Sequence, residues 1–379
     1  MALIDVPKGL RGVAAVNTAL SDVRGSEGFY HYREFDAIEL ARTRSLEEVW
    51  FLLYEGALPD EARLAAFTND IHRLGQAPAG ATELLPAVAG LTGQGDPLHA
   101  LRAAYALAVL ELGFRPWIDV DERELREQAL RTCAIVPTLV AALYRLGNGD
   151  DVIQARPELG YAANYLLMLH GEPPAPERAR ALEQYLVSTI DHGLNASTFT
   201  ARVVASAGAD VGSAVIAALG ALSGPLHGGA PSRALDMVDA IETADRADAW
   251  IRETLERGGR LMGFGHPAYR TEDPRSRMLK DLAESLGAPK IELGEHVEER
   301  ALALLRELRP GREIHTNVEF YAAFVLNAVG VPRSLFTPTF AVSRVIGWTA
   351  HILEQVRDNA VIRPSARYVG PRPRVAAGV

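Results

Sequence analysis

Three histidines are the residues of this chain whose setting most directly suggests chemistry. They are His192, His227 and His266, in the stretches DHGLNAST, GPLHGG and GFGHP. An imidazole exchanges protons near neutral pH, and glycine lets the backbone approach a ligand closely. Although a lone histidine is more often structural, these three sit in unusual settings, and two of them are flanked by glycines that would let a ligand approach the main chain.

Arginines accumulate in or near the same stretches. The guanidinium group binds carboxylates and phosphates through two parallel hydrogen bonds. Any single arginine is more often a solvated surface charge, but several beside neutral imidazoles and one acid indicate a pocket for a small polyanion. The arginines concerned are Arg270, Arg275, Arg277, Arg344 and Arg363.

A metal site is the alternative use of three histidines, since imidazole is a common zinc ligand. No histidine pair has a metal-ligand spacing such as H-E-x-x-H, so we expect no metal, and metal analysis of the purified protein would decide. Cys133 is the only cysteine, which excludes an intrachain disulfide and fits a reducing cytoplasm.

Composition narrows the class of protein. The 379 residues are 48% hydrophobic and 23% charged, as in a folded chain of one large domain or two ordinary ones. A net charge of −9 argues against a nucleic-acid partner, which needs a basic surface. The N-terminus is too polar for a signal peptide, and the uncharged stretch 211–226 is too short for a bilayer, so it predicts a buried helix and no membrane partner.

The elements that must position these residues are mostly helices. Apolar residues recur at helical spacing over 46–54, with Ser45 and Glu48 as a capping box and Gly56 as the end. Similar stripes run over 64–74, before Gly75, and over 342–356. Strand signals are limited to a weak alternation over 29–35, which predicts a small hairpin. The fold class is therefore mainly α.

Two glycine- and proline-containing breaks interrupt the helical pattern, at 223–231 and 330–333. Such breaks suit hinges, because a few non-helical residues can absorb a domain rotation, although they are equally the mark of ordinary helix connections. The tail from about Gly370 is rich in Pro, Gly and Ala, which predicts a loose terminus.

An ordered set of stretches resembles the citrate synthase family, in its bacterial form. The second-histidine stretch resembles that family's G-H-x-x-x-R followed by D-P-R, and the others follow at family-like spacing from about residue 10 to about residue 370. The matching stretches are YREFDAI, DHGLNASTFTARV, SGPLHGGAPSRALDMV, MGFGHPAYRTEDPRS, NVEFY, VSRVIG and RPS.

The resemblance implies a nearly all-helical homodimer whose subunits each have two domains. The large domain would comprise residues 1–229 and 335–379, and the small domain residues 230–334. The active site would lie in the cleft between them and close over oxaloacetate before acetyl-CoA binds productively. It would also be shared between subunits, with Arg363 reaching the oxaloacetate of the neighbouring one.

The resemblance also assigns roles in joining the acetyl group of acetyl-CoA to oxaloacetate. His227 would donate a hydrogen bond to the thioester oxygen, Glu319 would take the methyl proton, and His266 would polarise the ketone and protonate it. No cofactor is implied beyond the coenzyme A thioester as co-substrate. Oxaloacetate would be bound by His192, Arg275, Arg344 and Arg363, and coenzyme A by Arg270, Gly263, Gly265 and Arg312.

Two departures from the family pattern leave alternatives open. The usual acid is aspartate, whereas Glu319 is longer by one methylene, so the segment is either re-spaced around a working glutamate or belongs to an impaired, ligand-binding relative. We favour the first, because every other catalytic position is filled. The second departure is that Arg312 stands where lysines are common. A 2-methylcitrate synthase using propionyl-CoA also remains open, since one methylene gives only modest discrimination.

Overall fold

The computed structural model describes residues 3–92, 96–224, 227, 231–266, 268–358 and 360–371. Within those ranges the chain forms sixteen α-helices and one small sheet, so the mainly α prediction is confirmed. The helices are α1 Ala37–Thr43, α2 Leu46–Glu55, α3 Glu61–Leu74, α4 Ala79–Thr92, α5 Pro97–Leu112, α6 Glu122–Gly147, α7 Tyr161–His170, α8 Pro176–Thr189, α9 Ala196–Ser206, α10 Val211–Leu222, α11 Pro231–Ile241, α12 Ala247–Glu256, α13 Pro274–Ser285, α14 Ile291–Leu308, α15 Val318–Ala328 and α16 Phe336–Asp358. The strands are β1 Ser21–Arg24, β2 Phe29–Tyr32 and β3 Phe35–Asp36.

The helix boundaries that the sequence marks most clearly are confirmed. At the start of α2 the Ser45 hydroxyl accepts from the Glu48 amide, and the Glu48 carboxylate accepts from the Ser45 amide at 2.8 Å. Gly56 ends α2 with φ of +82°, a conformation that favours glycine. The α3 helix ends at Leu74, directly before Gly75.

The expected hairpin forms, and a third strand joins it. Strand β1 pairs antiparallel with β2, Ser21 opposite Tyr32, and β2 pairs antiparallel with β3. The hydroxyls of Tyr30 and Tyr32 donate to the carbonyls of Ser188 and Val187, at 2.9 and 3.0 Å. These bonds hold the sheet against the C-terminal end of α8, which shortly precedes His192 in the chain.

Two apolar helices are buried inside the protein. The α10 helix is the predicted buried helix, and it ends at Leu222, directly before the break predicted at 223–231. The α6 helix is long and apolar enough to cross a membrane, yet 78% of its apolar window is buried. Because α6 packs against α4, α5, α7 and α16, it is a core helix.

Cys133 lies on α6 in the centre of this core. Its Sγ atom is 3.1 Å from the Thr349 hydroxyl on α16 and 3.7 Å from the Tyr54 hydroxyl. Burial raises the pKa of the thiol to about 12. The thiol is therefore protonated at neutral pH.

Helices α11 to α15 pack mainly on one another. The α15 helix contacts α11 and α13, and α12 contacts α14, while α15 and α13 also contact α8. The division into a large domain and a small domain over 230–334, and the hinge role of the two breaks, stay predictions. Most of the first break and the tail beyond residue 371 lie outside the described residues.

Candidate active site

A cavity of about 1110 Å³ gathers most of the residues that the sequence predicts for the site. Strand β1 and the starts of α9 and α15 form part of its wall, and the chain from 255 to 266 forms another part. Nine of the eleven predicted residues line it: His192, His227, Gly263, Gly265, His266, Arg275, Arg312, Glu319 and Arg344.

His227 is held as a neutral imidazole with its proton on one defined nitrogen. The Ser197 amide points at Nε2 from 3.3 Å and can only donate, so we assign Nε2 as the acceptor and the proton to Nδ1. The Ser197 hydroxyl lies 2.8 Å from the same Nε2. Burial, with the positive charge of Arg344, lowers the pKa of His227 to about 4. At neutral pH His227 is therefore a hydrogen-bond donor through Nδ1.

His266 is neutral as well, but it carries its proton on the other nitrogen. The amides of Ala268 and Tyr269 point at its Nδ1, at 3.0 and 3.3 Å, while Nη2 of Arg275 lies farther away, 3.5 Å from Nε2. Because the two amides are the closer donors, we assign the proton to Nε2. Burial, followed by the charge of Arg275, lowers the pKa of His266 to about 4. The Nε2 proton is thus available for a ligand in the cavity.

His192 contacts Tyr30 of β2 on one side and the stretch that carries His266 on the other. Its Nε2 is 2.9 Å from the Tyr269 hydroxyl, and its ring meets the His266 ring edge to face, with centroids 5.2 Å apart. Burial, and then the charges around it, lower the pKa of His192 well below its ordinary value. A neutral His192 orients Tyr269 and His266 without adding charge.

Arg275 is a buried cation fixed by one carboxylate. Its Nε and Nη2 atoms donate to the two oxygens of Asp273, at 2.9 and 2.7 Å. Burial opposes the charge, but Asp273 more than offsets it and raises the pKa of Arg275 above the ordinary value. Because the guanidinium is already ordered by Asp273, it loses little further conformational entropy when it binds a second anion.

Arg344 is also buried, on α16, but it has no such carboxylate partner. Its Nε donates to the Thr189 carbonyl at 2.8 Å, and its guanidinium lies 4.5 Å from the centre of the Phe340 ring. Among the described residues, neither Nη atom has a hydrogen-bond partner. Burial lowers the pKa of Arg344, which means that its surroundings disfavour the positive charge. The environment is therefore built for an anionic ligand.

Glu319 supplies the acid of the site at the first turn of α15. Burial raises the pKa of its carboxyl from 4.5 to about 7, against the opposing charge of Arg275. A carboxylate with a pKa near the working pH is a suitable general base. No hydrogen bond to its side-chain oxygens is found within the described ranges, so the carboxylate is free to meet a substrate proton.

The raised pKa predicts how pH affects the stability of this site. Because the folded value exceeds the ordinary one, the contribution is complete below about pH 4.5 and is lost as the pH rises through about 7. We therefore expect Glu319→Gln to unfold at a higher temperature than wild type at pH 8 but not at pH 4.5. The expected gain in the free energy of unfolding at pH 8 is a few kcal/mol, since each unit of pKa shift corresponds to about 1.4 kcal/mol. Thermal unfolding at the two pH values measures this gain. The same difference in melting temperature between variant and wild type at both pH values would contradict the prediction.

The glycine loop before His266 approaches α15 very closely. Gly263 has φ of +86°, and a Cβ atom there would lie 2.7 Å from Cβ of Phe320, the neighbour of Glu319. Gly265 has nearly the same φ, +87°, but its nearest atom would be 3.9 Å away. Gly263 is thus needed for packing as well as for its backbone conformation.

These two glycines make a matched pair of variants. Gly263→Ala and Gly265→Ala carry the same backbone strain, so the difference between them isolates the clash with Phe320. We expect Gly263→Ala to lower the free energy of unfolding more than Gly265→Ala does, by a difference on the order of 1–3 kcal/mol. Denaturant unfolding measures it, and equal losses for the two variants would show that Phe320 gives way.

Several functional groups escape sequence reasoning. Arg260 and Arg309 join Arg312 as exposed arginines along one part of the cavity, although they are far apart in sequence. They follow the ends of α12 and α14, and only the packing of those helices brings them together. Asp273 and Asn317 belong to the D-P-R and N-V-E stretches, but the sequence does not predict which groups they bind.

Two predicted residues lie elsewhere. Arg270 and Arg363 are exposed and are not among the described residues that line the cavity. The Arg270 amide donates to the Gly25 carbonyl at 2.9 Å, at the turn after β1. Their assignments to coenzyme A and to the neighbouring subunit stay predictions. Within the described ranges, no group of three or more His, Cys, Asp or Glu residues is arranged to hold a metal ion.

Known proteins resemble this chain over nearly its whole length. The family model described as citrate synthase, C-terminal domain, matches residues 9–365. A protein of Mycobacterium tuberculosis named putative citrate synthase 2 is 40% identical over 97% of this chain and 93% of its own. The citrate synthase of Haloferax volcanii is 37% identical over 97% of both chains.

The structure is similar to solved ones as well. Citrate synthase from Thermoplasma acidophilum, solved as a ternary complex with carboxymethyl coenzyme A and oxaloacetate, superposes with a TM-score of 0.90 at 28% identity over 99% of both chains. The helical fold and the relatives together define this protein as an enzyme of the transferase class. The chain belongs to the citrate synthase family.

Proposed function

We propose that this enzyme condenses acetyl-CoA with oxaloacetate and releases citrate and coenzyme A. The observation that carries the proposal is the cavity itself, where two neutral imidazoles with opposite tautomers, a carboxylate of pKa about 7 and two buried arginines converge. The ligands in the ternary complex of the Thermoplasma acidophilum relative, carboxymethyl coenzyme A and oxaloacetate, are of the kind that such groups recognise.

Oxaloacetate is a four-carbon diacid, and it fits the cationic part of the cavity. The free Nη atoms of Arg344 suit a carboxylate, since arginine binds carboxylates through a two-pronged fork. Arg275 already binds Asp273 through Nε and Nη2, so it would meet the second carboxylate mainly through Nη1. The ketone then lies within reach of His266, which presents its Nε2 proton. Arg363 from the neighbouring subunit of a homodimer would add a third cation.

The condensation moves one proton at each end. Glu319 removes a proton from the acetyl methyl group, while Nδ1–H of His227 hydrogen-bonds to the thioester oxygen, where negative charge develops. The enolate carbon attacks the ketone carbon of oxaloacetate, and the former ketone oxygen takes the Nε2 proton of His266. The proton that Glu319 removed then returns to that imidazole, so both groups regain their starting states. The product, citryl-CoA, is hydrolysed by water: its carbon–sulfur bond breaks and coenzyme A leaves as the thiol.

Coenzyme A carries phosphates, and the exposed arginines of the cavity suit them. Arg260, Arg309 and Arg312 would meet the phosphate groups there, with Arg270 as a further contact and the loop from Gly263 to Gly265 beside the adenine. We place the enzyme in the cytoplasm, in keeping with its single, buried, reduced cysteine.

Thiol release tests the proposal directly. Wild-type enzyme is given acetyl-CoA or propionyl-CoA, each with and without oxaloacetate, and free coenzyme A is measured. We expect release that requires oxaloacetate and is faster with acetyl-CoA. Higher catalytic efficiency with propionyl-CoA would make the enzyme a 2-methylcitrate synthase, and no release with either would indicate a ligand-binding relative.

Sharing of the site between subunits has its own test. Arg363→Ala and His227→Ala proteins are unfolded together and refolded to form mixed dimers. Each mixed dimer contains one site with neither substitution if Arg363 serves the neighbouring subunit, so activity returns. Mixed dimers without activity would place Arg363 outside the partner's site.

A further inference from the structure

Asn317 joins the two chain segments that carry the proton donor and the base. Its side-chain Nδ2 donates to the Gly265 carbonyl at 2.8 Å, directly before His266. Its Oδ1 accepts from the amide of Glu319 at 3.0 Å, at the start of α15. One buried amide therefore contacts both segments, which are about fifty residues apart in sequence.

The backbone around Asn317 completes this connection. The Asn317 amide donates to the Gly263 carbonyl at 2.9 Å, and the Gly265 amide donates to the His315 carbonyl at 2.8 Å. Phe264 and Thr316 form an antiparallel bridge between these two bonds. The glycine loop is thus paired like a short strand with the chain that leads into α15.

The side chain is suited to this place by its chemistry. An asparagine amide both donates and accepts, whereas a carboxylate would face the Gly265 carbonyl without a proton, and a serine hydroxyl is too short to serve both sides. Asn317 is 8% exposed, so water competes little for these bonds. Loss of the side-chain amide would leave only the backbone bonds between the loop and the start of the helix, and would loosen the loop at Gly265.

We propose that Asn317 is a positioning residue that sets the separation between Glu319 and His266. The inference rests on the proposed function, because it concerns the base and proton donor of the condensation. Arg275 is held independently by Asp273, whose carboxylate also accepts from the Val318 amide at 3.2 Å. Loss of the Asn317 amide therefore slows proton removal while the diacid remains bound.

Two variants and one control separate positioning from simple helix capping. Asn317→Ala removes both side-chain bonds, and Asn317→Ser keeps an oxygen that can cap α15 but loses the bond to Gly265. Asp60→Ala is the control, since Asp60 caps α3 in the same way, accepting from the Arg63 amide at 2.8 Å, outside the cavity. Circular dichroism and thermal unfolding verify the fold of each.

The measurements are kcat, KM for oxaloacetate, and the isotope effect on kcat with acetyl-CoA deuterated at the methyl group. For both Asn317 variants we expect kcat to fall about 10- to 100-fold, KM for oxaloacetate to change less than about 3-fold, and the isotope effect to equal or exceed that of wild type. Asp60→Ala should match wild type in all three. An unchanged kcat, a smaller isotope effect, or a KM that rises as far as kcat falls would overturn the inference. Inactive wild-type enzyme would instead reject the proposed function, so the two failures are distinct.

Discussion

Glu319→Gln should lower kcat for condensation by about 10²- to 10⁴-fold, because the amide cannot accept the methyl proton. Oxaloacetate should bind nearly as well as in wild type, since the cations that we propose as its partners are Arg275 and Arg344. Steady-state thiol release gives kcat, and calorimetric titration with oxaloacetate gives its affinity. Retained turnover would mean that another group is the base.

Two further variants sharpen that result. Glu61→Gln removes the same charge from the first turn of α3, at an exposed position, and should leave kcat unchanged. Glu319→Asp restores the carboxylate of the usual family pattern but shortens the side chain by one methylene. We expect it to remain on the order of 10- to 100-fold slower than wild type if the site is spaced for glutamate. A faster Glu319→Asp enzyme would contradict that spacing.

Arg344→Met should weaken oxaloacetate binding by about 10²-fold or more while leaving the free protein as stable as wild type, or more stable. The loss of affinity follows because truncating one member of a buried charge pair costs about 2–5 kcal/mol. The stability follows because the buried guanidinium is disfavoured by its surroundings in the absence of a ligand, and methionine fills similar space without a charge.

The control for this variant lies on the same helix. Arg357→Met removes an exposed arginine that pairs with Glu122 at 2.8 Å, and such a pair is worth at most about 1 kcal/mol. KM for oxaloacetate and the melting temperature should therefore stay near wild type. An Arg344→Met protein with normal KM would remove Arg344 from the diacid site, and one that melts much earlier would show that its charge stabilises the fold.

Sequence reasoning predicted the helices well where local chemistry decides. The Ser45 and Glu48 capping box and the helix end at Gly56 depend on residues close together in the chain, so the sequence predicts them. Strand β1 was missed because its four residues show little alternation and are defined only by pairing with β2. The end of α10 at Leu222 is marked by the break at 223–231 and not by the end of the uncharged stretch, because lack of charge does not mark where a helix stops.

The candidate site could be predicted as a set of residues but not as a geometry. Motif residues such as His227 and Arg344 do line one cavity. The tautomers of the imidazoles depend on amides contributed by folding, such as that of Ser197, and therefore could not be read from the chain. The same holds for Arg260 and Arg309, which are ordinary surface arginines until α12 and α14 pack together.

The buried thiol of Cys133 has a practical consequence for measuring this enzyme. Disulfide reagents that release a coloured product react with thiolates. The Cys133 thiol is buried and has a pKa of about 12, so in the folded protein it is neither ionised nor accessible to such a reagent. Every equivalent of colour from the native enzyme therefore reports a departing coenzyme A. Once the protein denatures, one further equivalent per chain appears, which makes the same reagent a direct count of how much enzyme has unfolded during the assay.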